Sequence, residues 1–295
     1  MKLASLPLCA FALKKGVLVF LNGQFVPEAQ AVVPVNDRGF LLGDGLFETM
    51  RVVHGKPFRF SQHLERMVRG ADFLKIKLPY APKELETFAA QLIEQNKTAE
   101  AILRVTLTRG AGERGYTFNG DGRPNLVMTL HATLSPHTEK TVECHLVTSS
   151  FRIPAADPLA AFKTTSKILH IMARAEAGEK GADEALLVNT NGEVAETAGG
   201  NLFWVYDDKI CTVPTGRGIL PGVTRAVVLE ICRTMGLQTN KCVIKPEALR
   251  NSTGIFITQS ALGVVPVTTL DGAPVGSSPL VDQIAQAYAE LLGSA

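Results

Sequence analysis

The chain has 295 residues, 46% hydrophobic and 20% charged, which suits one large globular unit or two domains with their own cores and excludes a disordered protein. Thirty basic residues against 28 acidic ones give no reason to expect nucleic acid or an anionic membrane as the main partner, so a small molecule is the default. The five cysteines, Cys9, Cys144, Cys211, Cys232 and Cys242, are odd in number, scattered and never spaced as CxxC, which suggests neither a disulfide framework nor a metal site and reads as a reducing cytoplasm.

The opening MKLASLPLCAFALKKG begins like a short signal sequence, but Pro7 interrupts the apolar run and no small-residue cleavage site follows, so residues 1–16 read as an extension without function. No apolar stretch has the length to span a bilayer. The fold is expected to begin at VLVFLNGQFVPE, strand-like residues around an Asn-Gly turn. Strand signals then recur at LFETMRVVHG, AILRVTLTRG and NLVMTLHATL, separated by the helix-like FSQHLERMVRGADFL and KELETFAAQLIEQN. This is an α+β pattern. Polar, proline-bearing LSPHTEK places a boundary near 134–140, between a smaller N-terminal α+β domain (17–134) and a larger C-terminal domain (135–295).

Strand signals resume at TVECHLVTSS. In SKILHIMARAEAGEKG, Ile168, Ile171, Met172 and Ala175 share one helical face and a glycine follows the end, which predicts a helix packed by that face on a sheet. EALLVNTNGEVAETAGGNLFWVYDDKIC reads as strands around Asn-Gly and Asp-Asp turns, GILPGVTRAVVLEICRTMG as a glycine-led helix, and GIFITQSALGVVPV as another buried strand.

Gly110, Gly112 and Gly115 spell the dinucleotide fingerprint after a strand, but YTFNGDGRPNLVM supplies turns and a further strand where the fingerprint needs a helix, so the segment reads as a hairpin connection. Lys163 lies among Leu159, Ala160, Ala161 and Phe162. An ordinary lysine there is solvated, whereas an apolar setting would leave a neutral amine able to form a Schiff base. Glu196 ends a strand before a small-residue turn. Gly222, Val223 and Thr224 lead a helix, whose amides, with the Thr224 hydroxyl, suit an anion as well as simple capping. Arg66 in HLERM and Ser260 in TQSALG add a cation and a hydroxyl that would each pass as structural alone.

Taken in order, RGFLLGDGLFETMRV, HLERM, AFKTTSK, GADEALLVNTNGEVAETAGGNLFWV, GILPGVTRAVV and FITQSALGVVPV resemble, from about residue 17 to the end, the class IV (fold type IV) pyridoxal-phosphate-dependent aminotransferase family. The resemblance implies a two-domain fold with the cofactor between the domains, Lys163 as the lysine that holds it, and Glu196, 33 residues on, at the ring nitrogen. It also implies Arg66, Val223, Thr224 and Ser260 at the phosphate, Leu220 against the ring, and a homodimer in which a loop of one subunit lies near the partner's site. Lys167 matches no family lysine. Within the family, GDGLFETMRV, TRGAGERGYTF and SALGVVPV are most similar to 4-amino-4-deoxychorismate lyase, a folate-biosynthesis enzyme, with D-amino acid and branched-chain aminotransferases as the alternatives. Phe47 stands where the D-amino acid enzymes carry a tyrosine, and Gly263 where aminotransferase branches commonly carry a glutamate. Arg114 is expected at a substrate carboxylate, which a planar guanidinium suits.

Overall fold

A computed structural model describes residues 16–118, 122–133 and 144–294. The expected extension and the expected boundary at 134–140 lie outside the described residues, apart from Gly16.

The first half is a six-stranded antiparallel sheet in the order β2-β1-β6-β5-β3-β4. Its hairpin β1 (Leu18–Leu21) and β2 (Gln24–Pro27) turns at Asn22–Gly23. A one-turn helix α1 (Arg38–Leu42), capped by the Asp37 carboxylate on the Phe40 N–H, leads into β3 (Gly45–Val53) and the short β4 (Lys56–Pro57). The predicted helices form as α2 (Phe60–Leu74) and α3 (Pro82–Gln95) and cover one face of the sheet. On β5 (Ala101–Thr108) burial alternates strictly: Leu103, Val105 and Leu107 face the helices, while Arg104 and Thr106 face the other way. β5 returns antiparallel as β6 (Asn125–His131), so the glycine triplet is a strand connection, as its missing helix predicted.

The second half is built on a nine-stranded mixed sheet. Its elements are β7 (Cys144–Ile153), α4 (Ile168–Glu179), β8 (Glu184–Asn189), β9 (Val194–Thr197), β10 (Asn201–Tyr206), β11 (Lys209–Thr212), α5 (Val223–Thr234), β12 (Thr239–Lys241), α6 (Pro246–Leu249), β13 (Gly254–Gln259), β14 (Gly263–Leu270), β15 (Ala273–Pro274) and α7 (Pro279–Gly293). The main path runs β12-β11-β10-β13-β14-β7-β8-β9, with β15 beside β14. Alternate residues serve two cores. Leu202, Trp204, Ile255 and Ile257 share one with α4, while Phe203, Val205 and Phe256 pack under Val228 and Cys232 of α5 and Ile284 of α7. Such two-sided burial explains the unbroken apolar runs NLFWV and GIFI.

Two readings need correction. GIFITQSALGVVPV is a pair of antiparallel strands, β13 and β14, rather than one. The face of α4 that packs on the sheet is Ala173 and Ala177, whose small side chains allow close approach, whereas Ile168, Ile171 and Met172 are 70%, 59% and 44% exposed. Periodicity marks an apolar face without saying what covers it.

Candidate active site

Lys163 belongs by sequence to the second half, yet the first sheet fixes its main chain. The Phe47 N–H donates to the Lys163 carbonyl at 2.9 Å, the Thr165 N–H donates to the Gly45 carbonyl at 2.9 Å, and Leu46 and Thr164 form an antiparallel bridge. The amine sits 4.6 Å from the centroid of the Phe47 ring. Burial, reinforced by the positive charge of Arg66 and opposed by Glu48 and Glu196, brings its pKa down to about 8. An amine with a substantial neutral fraction just above neutrality is what a nucleophile or proton acceptor requires.

Arg66 projects from α2 and is 4% exposed. Its Nε and NH2 donate to the two oxygens of Glu48 on β3, at 2.8 and 2.7 Å, and its NH1 donates to the Pro221 carbonyl at 2.9 Å. His63, one turn earlier on α2, meets the same carboxylate at 2.7 Å through Nδ1. Burial alone would raise the Glu48 pKa, but the hydrogen bonds and charge of Arg66, then His63, hold it below its ordinary value. His63 moves down, chiefly through burial, which keeps its ring neutral and makes Nδ1–H the donor.

Glu196 is the penultimate residue of β9 and is 6% exposed. One oxygen accepts from the Leu220 N–H at 2.9 Å and from Asn201 Nδ2 at 3.3 Å, and the other lies 3.5 Å from His170 Nε2. Asn201 also donates to the Leu220 carbonyl at 2.8 Å, so strand, carboxylate and the turn before α5 are tied together. A Cβ on Gly222 would come within 2.1 Å of Asn201 Oδ1, so only glycine lets the helix start so close.

These elements enclose a cavity of about 190 Å³, at the N-terminus of α5 and with Lys163 in its wall. Of the residues singled out by sequence, Lys163, Arg66, Leu220, Val223, Thr224 and Ser260 line it. Glu196 is one hydrogen bond behind the lining, on the amide of Leu220. Phe47 stands against the lysine amine, and Lys167 is the N-cap residue of α4, outside the lining. Arg114 is not brought in: it is exposed on the β5–β6 connection.

Sequence reasoning missed five further residues. Glu48 and His63 complete the arginine's shell. Asn201 anchors Glu196. Thr258 lines the cavity with a buried hydroxyl that has no partner among the described residues. Arg104 lies 3.9 Å from the Phe47 ring centroid, so that ring has cations on Lys163 and Arg104 around it; its side chain bonds Thr106 at 3.1 Å and no carboxylate among the described residues. The signal for Glu48 was an acid on the helix-facing register of a strand otherwise apolar there.

A guanidinium, the free amides at a helix N-terminus and an unpartnered buried hydroxyl together suit a phosphate dianion. An amine of lowered pKa near that cradle and a fixed carboxylate behind it suit a phosphorylated aldehyde with a basic ring nitrogen. Among the described residues there is no His/Cys/Asp/Glu cluster that could hold a metal ion, and no helix is long and apolar enough to cross a membrane.

Comparison with known proteins agrees with this chemistry. The amino-transferase class IV profile matches residues 45–270. A Methanocaldococcus jannaschii protein assigned as a branched-chain-amino-acid aminotransferase is 30% identical over 259 residues, 88% of this chain and 90% of that one. The D-alanine aminotransferase of Staphylococcus aureus is 29% identical over 283 residues, 94% of this chain and 98% of its own. The crystal structure of a Legionella pneumophila protein assigned as 4-amino-4-deoxychorismate lyase superposes with a TM-score of 0.82 at 26% identity, covering 89% of this chain and 96% of that chain.

Proposed function

The chain belongs to the class IV aminotransferase family, whose members use pyridoxal 5'-phosphate, and on that premise we propose that it is a lyase converting 4-amino-4-deoxychorismate to 4-aminobenzoate and pyruvate. The observation that carries the choice within the family is Gly263. Its φ of +74° and a virtual Cβ 2.6 Å from Tyr288 leave no room for the glutamate that aminotransferase branches commonly place there. Phe47, in place of the tyrosine of D-amino acid enzymes, points the same way. Amino transfer to a 2-oxo acid is the second reading, favoured by the names of the relatives in sequence.

The residues fit the cofactor. Arg66, the amides of Val223 and Thr224, and the hydroxyls of Ser260 and Thr258 would hold the phosphate; Leu220 would lie against the ring, and Glu196 would keep the ring nitrogen protonated. When bound, the cofactor supplies an electron sink for charge left on the substrate carbon that bears the amine. Lys163, near its pKa at working pH, accepts a proton at Nζ and returns it. Phe47 shields that amine from water on one side. Glu196 keeps its orientation through the Leu220 amide and Asn201. Arg104, with no carboxylate partner among the described residues, offers a site for a carboxylate of the substrate.

The exposed apolar side chains of α1 (Phe40, Leu41, Leu42) and α4 (Ile168, Ile171, Met172) flank the contact between Ser166 Oγ and the Gly43 carbonyl, and we assign them to a homodimer interface. Arg114 then meets a substrate carboxylate at the partner's cavity. Free thiols at Cys144, Cys211, Cys232 and Cys242 suit the reducing cytoplasm.

The test is pyridoxal-phosphate-loaded protein mixed with 4-amino-4-deoxychorismate, following 4-aminobenzoate and pyruvate together, with Lys163→Ala alongside. Both products from wild type and neither from the variant are expected. Turnover confined to D-alanine or branched-chain amino acids with 2-oxoglutarate rejects the lyase.

A further inference from the structure

The connection from Gly110 to Phe118 is held in an unusual way. Its start is tied by main chain, with the Arg38 N–H on the Gly110 carbonyl at 2.9 Å and the Gly112 N–H on the Asn36 carbonyl at 3.3 Å. Its far part is held by a side chain. Arg38, 5% exposed, donates to the carbonyls of Gly115 at 2.9 Å, Tyr116 at 3.3 Å and Thr117 at 3.3 Å, while its Nε donates to Asp44 at 2.8 Å. Asp44 is gripped from the other side by Arg109, at 2.7 and 3.0 Å, and the Arg109 guanidinium covers the Phe118 ring at 3.9 Å.

The loop's side chains behave oppositely. Tyr116 is 87% exposed, and Glu113 and Arg114 are exposed as well. Desolvating a guanidinium is costly, and three carbonyls plus a shared carboxylate offset that cost only in a fixed geometry. The outcome is a backbone held rigid and side chains displayed in solvent, an arrangement that removes ordering cost from recognition. The clamp also sits on α1, beside the exposed apolar side chains of Phe40 and Leu41.

We propose that Arg38 is a positioning residue for substrate recognition: its buried guanidinium, braced by Asp44 and Arg109, fixes the backbone of 115–117 so that Arg114 is presented to the substrate carboxylate. The inference rests on the reading of Arg114 given above and adds the device that orients it. Lysine at position 38 keeps the charge for Asp44 but cannot span three carbonyls with a planar fork. Gly112→Ala perturbs the same clamp without removing charge, because its Cβ would stand 2.8 Å from Arg38 Cδ.

The experiment compares wild type, Arg38→Lys, Gly112→Ala, Arg114→Ala and the Arg38→Lys/Arg114→Ala double variant as cofactor-loaded enzymes. Backbone hydrogen exchange is read over 111–118, and KM and kcat with 4-amino-4-deoxychorismate, or with D-alanine and 2-oxoglutarate if those are the substrates turned over. Expected are faster exchange in both clamp variants, KM raised about tenfold with kcat nearly unchanged, unaltered cofactor affinity, and no further rise when Arg38→Lys is added to Arg114→Ala. Unchanged exchange overturns the clamp. Faster exchange with normal KM, while Arg114→Ala raises KM, overturns the positioning role and leaves Arg114's role standing. If Arg114→Ala itself leaves KM unchanged, the reading of Arg114 fails and takes this proposal with it, whatever exchange shows.

Discussion

Glu48→Gln is the most informative single change, because it removes one charge from a buried cluster while preserving shape. In the native protein one Glu48 oxygen accepts from Arg66 Nε, and the other accepts from Arg66 NH2 and His63 Nδ1. A glutamine best keeps its oxygen at the doubly used position, which turns its NH2 toward the Nε–H of Arg66. One hydrogen bond is lost and a guanidinium is left buried without its counter-charge. Breaking such a pair costs about 3–5 kcal/mol, or a fall in Tm of roughly 6–20 °C at about 2–4 °C per kcal/mol for a domain of this size. The cofactor alters the balance, since a phosphate beside Arg66 restores a counter-anion. Scanning calorimetry of apoprotein with and without pyridoxal phosphate, and with inorganic phosphate, reads both effects.

The gap between variant and wild type should be wide in apoprotein and narrow on loading. It should also close in acid. The carboxyl's pKa is held below 4.5 in the fold, so its stabilisation is present above that value and is lost as pH falls through the folded value. A gap of under 2 °C in apoprotein refutes the buried counter-charge reasoning, and one equally wide with phosphate refutes the assignment of Arg66 to the phosphate.

Because Lys163 captures the cofactor as a neutral amine with a pKa of about 8, the capture rate by apoprotein should rise about tenfold per pH unit below that value and level off above it, as stopped-flow absorbance will show; a rate still climbing about tenfold per unit beyond about pH 9 rejects the lowered pKa. Thr258→Val removes a hydroxyl that is buried and unpartnered among the described residues, so apoprotein Tm should hold or rise slightly while the dissociation constant for pyridoxal phosphate, by equilibrium dialysis, rises about fivefold to tenfold. Unchanged binding would remove Thr258 from the cradle. Ile171→Asp places a charge on the exposed apolar face of α4, and sedimentation should show it as a monomer beside a dimeric wild type; an unaltered mass moves the interface elsewhere.

The strands and helices were legible where burial follows a single period. On β5 the alternation of AILRVTLT is the alternation of burial, and α2 spans the very segment that its 3.6-residue pattern marks. Where two partners compete for one helix the pattern misleads. Ile168, Ile171 and Met172 form the stronger apolar stripe of α4, yet the sheet takes Ala173 and Ala177, because close packing against β7 and β8 selects small side chains and leaves the larger ones for a different surface. The site was legible as far as motifs carry it: Lys163, Arg66, Leu220, Val223, Thr224 and Ser260 come from distant parts of the chain to one cavity. What motifs leave out are the groups that act on them. Asn201 and Thr258 look like ordinary strand polars until the fold pairs them on neighbouring strands β10 and β13, in the lining of the cavity at the start of α5.

The strand β3 shows why the two halves depend on one another. Its main chain holds the lysine segment through Gly45, Leu46 and Phe47, so the first sheet sets where a residue of the second half points. Its side chains then divide by parity. Leu46, Glu48 and Met50 turn under α2, and among them the carboxylate of Glu48 fixes Arg66. Phe47 and Thr49 turn to the opposite face, where Phe47 backs the Lys163 amine and Thr49 joins the cavity lining. A one-residue slip against β5 would exchange these sets, burying Phe47 and Thr49 under α2 while carrying Glu48 to the cavity side. The full-length register of eight pairs with β5 prevents that slip. Electrostatics completes the coupling: Arg66 lowers the Lys163 pKa and Glu48 raises it, so the same strand that places the amine also sets its charge. Glu48→Gln should therefore shift the pH profile of cofactor capture to lower pH as well as destabilise the apoprotein. A variant that loses stability with its capture profile unmoved would show that the carboxylate braces Arg66 without acting on the lysine.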